Sequence, residues 1–106
     1  MVNNNSNTLS IIKEITGKIL PGCKILLFGS RARHDNSTDS DYDLLVITRK
    51  TFGVRKKRIL KSLLRKELAK HKIPADILIQ SEAEINSKKG INGHIIKQVM
   101  LEGIAI

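Results

Sequence analysis

The chain has 106 residues, 41% of them hydrophobic but only 3% aromatic, a formal net charge of +9 and one cysteine. That length holds one domain with a core of Ile, Leu and Val, and a lone cysteine excludes an internal disulfide, as expected of a cytoplasmic protein. No apolar run approaches the roughly 20 residues needed to cross a bilayer, and the start, MVNNNSNT, lacks the basic and apolar regions of a secretory leader.

In chain order, residues 1–7 read as a flexible polar arm and 8–106 as one folded domain. Leu9, Ile12, Ile15 and Ile19 follow helical spacing, with Ser6 or Thr8 as cap and Pro21-Gly22 as stop. Lys24 to Phe28 is a short buried strand, and Ser30 to Arg33 starts a helical turn. Residues 34–40 have no periodicity and read as loop, and Tyr42 to Thr48 is a second strand. Thr51 is expected to cap a long helix reaching about His71, with an apolar stripe of Leu60, Leu63, Leu64 and Leu68. Pro74 edges a third strand, Ala75 to Gln80. Residues 81–93 read as polar turns, and a last helix uses Ile95, Ile96 and Val99 before Gly103 stops it. The order α–β–turn–β–α–β–α predicts an α+β fold, a small mixed β-sheet backed by helices.

Three carboxylates stand out. Asp41 and Asp43 are one residue apart at the start of the second strand, so both project to one face, about 7 Å apart along the chain. Like charges that close raise one another's pKa, and a hard divalent cation relieves them. Asp76 interrupts the apolar run IPADILIQ, where a buried acid needs a cation or a hydrogen-bond network. Taken alone, Asp-x-Asp is a weak signal and fits a solvated strand entrance better. Gly29-Ser30 tips the balance, because a glycine turn at a strand end presents backbone N–H groups to an anion. The three features together point to a metal site for phosphate chemistry.

Nine of the nineteen Lys and Arg residues lie between Arg55 and Lys72, against one acid, Glu67. Such a helix either draws anionic partners by long-range attraction or is only a solvated face. No aromatic residue interrupts it, so any nucleic-acid contact is expected to be non-specific. His34, His71 and His94 lack metal-ligand spacing and read as surface or capping residues; Cys23 reads as a small packing residue.

Residues 29–33 (GSRAR), followed by Ser40-Asp41-Tyr42-Asp43-Leu44, resemble the signature of the DNA polymerase beta-like nucleotidyltransferases, in particular the small MNT (minimal nucleotidyltransferase) type. Asp76 matches the family's third carboxylate, and VMLEGIAI resembles the close of these domains. One position departs: His34 stands where the family usually has Gly. The resemblance implies a polymerase beta palm-like core over residues 8–106. It also implies transfer of a nucleoside monophosphate, AMP from ATP, to a hydroxyl acceptor. Asp41, Asp43 and Asp76 would be the catalytic and metal-holding residues for two Mg²⁺ ions. Gly29, Ser30, Arg31 and Arg33 would bind the nucleotide phosphates. The resemblance further implies a HEPN-family toxin as partner, with a tyrosine as acceptor and an antitoxin role for this chain. An antitoxin that masks its partner sterically, and a basic RNA-associated protein without catalysis, remain as alternatives.

Overall fold

The computed structural model describes residues 6–33, 41–88, 90–91 and 93–106. Its elements are α1 (Ser6–Ile19), β1 (Lys24–Phe28), α2 (Gly29–Arg33), β2 (Tyr42–Thr48), α3 (Val54–Lys70), β3 (Ala75–Ser81), α4 (Glu82–Lys88), α5 (Ile95–Glu102) and β4 (Ile104–Ala105). One mixed sheet runs in the order β3-β2-β1-β4. Its β1–β2 and β1–β4 pairs are antiparallel and β2–β3 is parallel. The α+β expectation holds.

Strand β2 is central, and Leu44, Leu45 and Val46 are completely buried. Its unbroken apolar run follows from cover on both faces. Leu44 and Val46 meet Ile12, Leu64 and Leu68 on the side of α1 and α3. Leu45 and Ile47 meet Ile85, Ile96 and Val99 on the side of α4 and α5. Three layers result, and the charged residues of α3 are left to the outside.

Helix α1 starts at Ser6, so the polar arm contributes its last two residues to a helix; residues 1–5 lie outside the described residues. Two expectations are corrected. Thr51 does not cap α3: Gly53 is the N-cap, without a side-chain hydrogen bond, and the Thr51 hydroxyl donates to Ser81 Oγ at 2.7 Å. Residues 82–88 are helix and not turn, because Ser81 and Glu84 form a reciprocal capping box. The Glu84 N–H donates to Ser81 Oγ (3.1 Å), and the Ser81 N–H donates to Glu84 Oε1 (2.8 Å). Lys57 Nζ adds an ion pair to Glu84 Oε2 at 2.8 Å, which ties α4 to α3. Burial pushes the Glu84 carboxyl up, but the hydrogen bonds from Lys57 and Ser81 outweigh it and hold the group below its ordinary range.

The end of α3 sets where β3 begins. His71 is the C-cap and Lys72 follows in the left-handed region, at φ +60°. The Lys72 N–H donates to the Ala69 carbonyl (2.9 Å) and the Ile73 N–H to the Leu68 carbonyl (3.0 Å). This is a Schellman motif with lysine in the place glycine prefers. Lys72→Gly is expected to stabilise the protein by about 0.5–1 kcal/mol, since relief of the left-handed penalty exceeds the added chain entropy. The urea midpoint should rise at constant slope; a fall would show that the lysine side chain holds something the backbone does not.

Candidate functional site

Strand β1 ends at Phe28, whose register partner on β2 is Asp43. The chain then turns at Gly29, with φ +74°, into the single turn of α2. A side chain is excluded at Gly29 for a second reason. A β-carbon built there would collide with the Asp43 carboxylate, with its Cγ only 3.0 Å away. Sequence reasoning assigns that clearance to phosphate; the fold gives it first to Asp43.

On the other side of β2, Asp43 is the direct register partner of Asp76 on β3. Laterally paired residues of neighbouring strands share a face, so both acids point to the side of Leu45 and Leu78. Asp43 is therefore bracketed by the Gly29 turn and by Asp76. Burial raises its pKa, the charges of Asp76 and Asp41 raise it further, and Arg33 opposes them. Asp41 stands one residue ahead of β2, exposed, and helps to line a groove along α3.

The α2 residues divide. Ser30 is half-buried, and Arg33 is exposed at the surface. Arg33 Nη1 lies 3.4 Å from Glu102 Oε1, and the other oxygen of Glu102 accepts from Gln98 Nε2 at 2.7 Å. Arg31 is only 4% exposed, with its guanidinium carbon 3.9 Å from the centroid of the Tyr42 ring. It thus packs under the site, in a cation–π contact between α2 and β2.

Sequence reasoning missed Glu102 and Gln98, which lie 69 and 65 positions beyond Arg33 and carry no local signal. It also missed β4, which pairs Ile104 with Leu27 and puts Glu102 within reach of α2. His94 caps α5, its Nδ1 accepting from the Ile96 N–H at 3.1 Å, and His71 is a C-cap. Both fit the capping role. His34 and Ser40 lie outside the described residues. Burial pushes the Cys23 thiol up, away from the reactive thiolate, as suits a packing residue.

Among the described residues, no three His, Cys, Asp or Glu side chains are gathered closely enough to enclose a metal ion. The donor chemistry nevertheless suits Mg²⁺. Two carboxylates sit side by side, a third stands nearby, and Asp43 is raised by charges that a cation would offset. Mg²⁺ needs only one or two protein carboxylates when substrate phosphates and water complete its shell. No described helix is long and apolar enough to cross a membrane.

The family model described as "Polymerase beta, Nucleotidyltransferase" matches residues 4–105. No curated protein matches the sequence significantly. Among solved structures, a toxin–antitoxin complex with AMP-PNP is similar at TM-score 0.58 and 20% identity, over 95% of this chain and 71% of that one. A tri-AMPylated HEPN toxin from Shewanella oneidensis in complex with MNT antitoxin gives TM-score 0.55 and 20% identity, over 93% and 67%. A candidate nucleotidyltransferase from Sulfolobus solfataricus gives 0.58 and 20%, over 99% and 89%. At these identities the likenesses establish the fold alone.

Proposed function

Because this chain belongs to the polymerase beta nucleotidyltransferase family, we propose that it transfers AMP from ATP to a hydroxyl of a protein acceptor. The observation that carries this reading is the direct pairing of Asp43 with Asp76, beside the Gly29 turn. The acceptor oxygen forms a bond to the α-phosphorus, the bond from that phosphorus to the bridging oxygen breaks, and pyrophosphate leaves. Asp76, on the flank away from α2, takes the acceptor proton. Ser30 and Arg33 face the phosphates, and Arg33 exchanges its long contact with Glu102 for a phosphate oxygen. Arg31 is a positioning residue that holds α2 against Tyr42. Asp41, Asp43 and Asp76 would hold Mg²⁺, which supplies Lewis-acid stabilisation of the charge on the phosphates when bound.

The acceptor we favour is a tyrosine of a HEPN-type partner, as the family resemblance implies; the similar Shewanella complex holds a tri-AMPylated HEPN toxin. ATP as donor and a single half-buried cysteine suit the cytoplasm. The test is incubation of both proteins with Mg²⁺ and ATP labelled at either the α- or the γ-phosphate. Label from the α-position alone should appear on the partner, and Asp76→Asn should lose it by at least about a hundredfold, the scale of removing one catalytic group. A stable complex that never acquires label would make this chain a masking antitoxin, and γ-label on the partner would make it a kinase.

A further inference from the structure

The nine cations between Arg55 and Lys72 are not equivalent once the chain is folded. Lys57 is committed to Glu84 and Lys70 to Glu67, at 2.8 and 2.7 Å. Arg58, Lys61, Arg65 and Lys66 instead line one wall of a groove of ≈ 580 Å³. None of these four makes an ion pair with an acid among the described residues. Their spacing places them along one side of α3. Ile73, Pro74, Ala75 and Asp41 complete its lining. The groove therefore lies on the α3 face of the sheet, opposite the face to which Asp43 and Asp76 point, and it shares Asp41 with the candidate site.

We propose that this groove is the docking channel for the acceptor, an extended acidic polypeptide segment that brings its hydroxyl to the site past Asp41. Four like charges held together repel one another, and an anionic occupant relieves them. The groove has no aromatic lining to stack bases, which tells against nucleic acid. Its apolar lining suits the aliphatic parts of peptide side chains. The span from Arg58 to Ala69 is about 16 Å at helical rise, the reach of about five extended residues. The sequence alone suggests a diffuse field over this helix; the fold concentrates four of its charges in one groove that also takes in Asp41.

The delivery of a hydroxyl rests on the transfer reading, whereas the choice of an acidic peptide rests on the groove. One experiment separates them. A fluorescein-labelled six-residue peptide of glutamates around one tyrosine, its glutamine counterpart and a six-nucleotide RNA are titrated with the full chain. ATP with Mg²⁺ is titrated in parallel by calorimetry. The acidic peptide should bind more tightly than the other two. The double variant Lys61→Glu/Arg65→Glu should weaken it by about tenfold or more, while Arg55→Glu/Lys56→Glu, an equal charge change outside the groove, stays within about twofold. ATP affinity should be unchanged in both variants. Equal losses in the two variants, no loss in the groove variant, or tighter binding of the RNA would each overturn the proposal. If the wild type takes the acidic peptide as expected but no ATP, the transfer reading falls and the groove assignment stands.

Discussion

Asp43→Asn is expected to stop AMP transfer and, in metal-free buffer, to raise the melting temperature. The first effect follows from position: Asp43 sits between the Gly29 turn and Asp76, where the proposed mechanism brings phosphate and acceptor together. A loss of at least about 10²–10³-fold is the scale for removing one group that stabilises transition-state charge. The second effect follows from sign. Burial, then Asp76 and Asp41, raise the folded-state pKa of Asp43 above its ordinary 3.8. The folded state then holds its proton more tightly than the unfolded chain, so stability falls as pH rises from the ordinary value through the raised one. Above that window the ionised carboxylate is a standing cost, and asparagine removes it. Scanning both proteins from acidic to neutral pH in chelator checks the sign: the wild type should lose stability through the window and the variant should lose less. Full transfer by the variant would remove Asp43 from the catalytic set.

Gly29→Ala is expected to damage the fold and the activity together. Two independent costs act at this position. The left-handed φ of +74° costs a non-glycine residue about 1–2 kcal/mol, and the new β-carbon meets the Asp43 carboxylate. Total destabilisation should therefore exceed about 2 kcal/mol, with transfer falling because Asp43 is displaced. A double-mutant cycle separates the terms. In an Asp43→Gly background the carboxylate is gone, so Gly29→Ala should cost only the backbone term. If the cost is the same in both backgrounds, the glycine serves the turn alone.

What could be read from the sequence depended on how far away the deciding partner stands. Strands β1, β2 and β3 declare themselves as short apolar runs bounded by turn residues, and helix α3 through Leu60, Leu64 and Leu68 at helical spacing. Two of the three aspartates were legible from their shared strand entrance; Asp76 stood out as a break in an apolar run, but the fold leaves it exposed and not buried, so the expected need for a buried partner does not arise. Helix α4 was legible in principle, since Ser81-Glu-Ala-Glu84 spells a capping box, but a polar surface without a strong stripe hides a seven-residue helix. Thr51 misleads because its acceptor is Ser81, thirty positions on, and no local rule sees it. Arg31 was grouped with Arg33 as a phosphate ligand. Their separation into a buried and an exposed residue follows from the direction in which α2 leaves β1, which neither side chain encodes. The two-residue β4 is too short for any periodicity and exists because β1 offers it an edge.

The contact between Arg31 and Tyr42 has an optical consequence. The chain contains no tryptophan, and Tyr42 is its only tyrosine. All intrinsic emission excited at tyrosine absorption therefore originates from the residue between Asp41 and Asp43, from a ring beneath a guanidinium on the turn proposed to bind the nucleotide. Any ligand that draws α2 toward itself changes the charge over that ring and hence its brightness. The molecule carries a built-in fluorophore in the core directly beneath its candidate site, and occupancy can be followed from there in real time without attaching a dye.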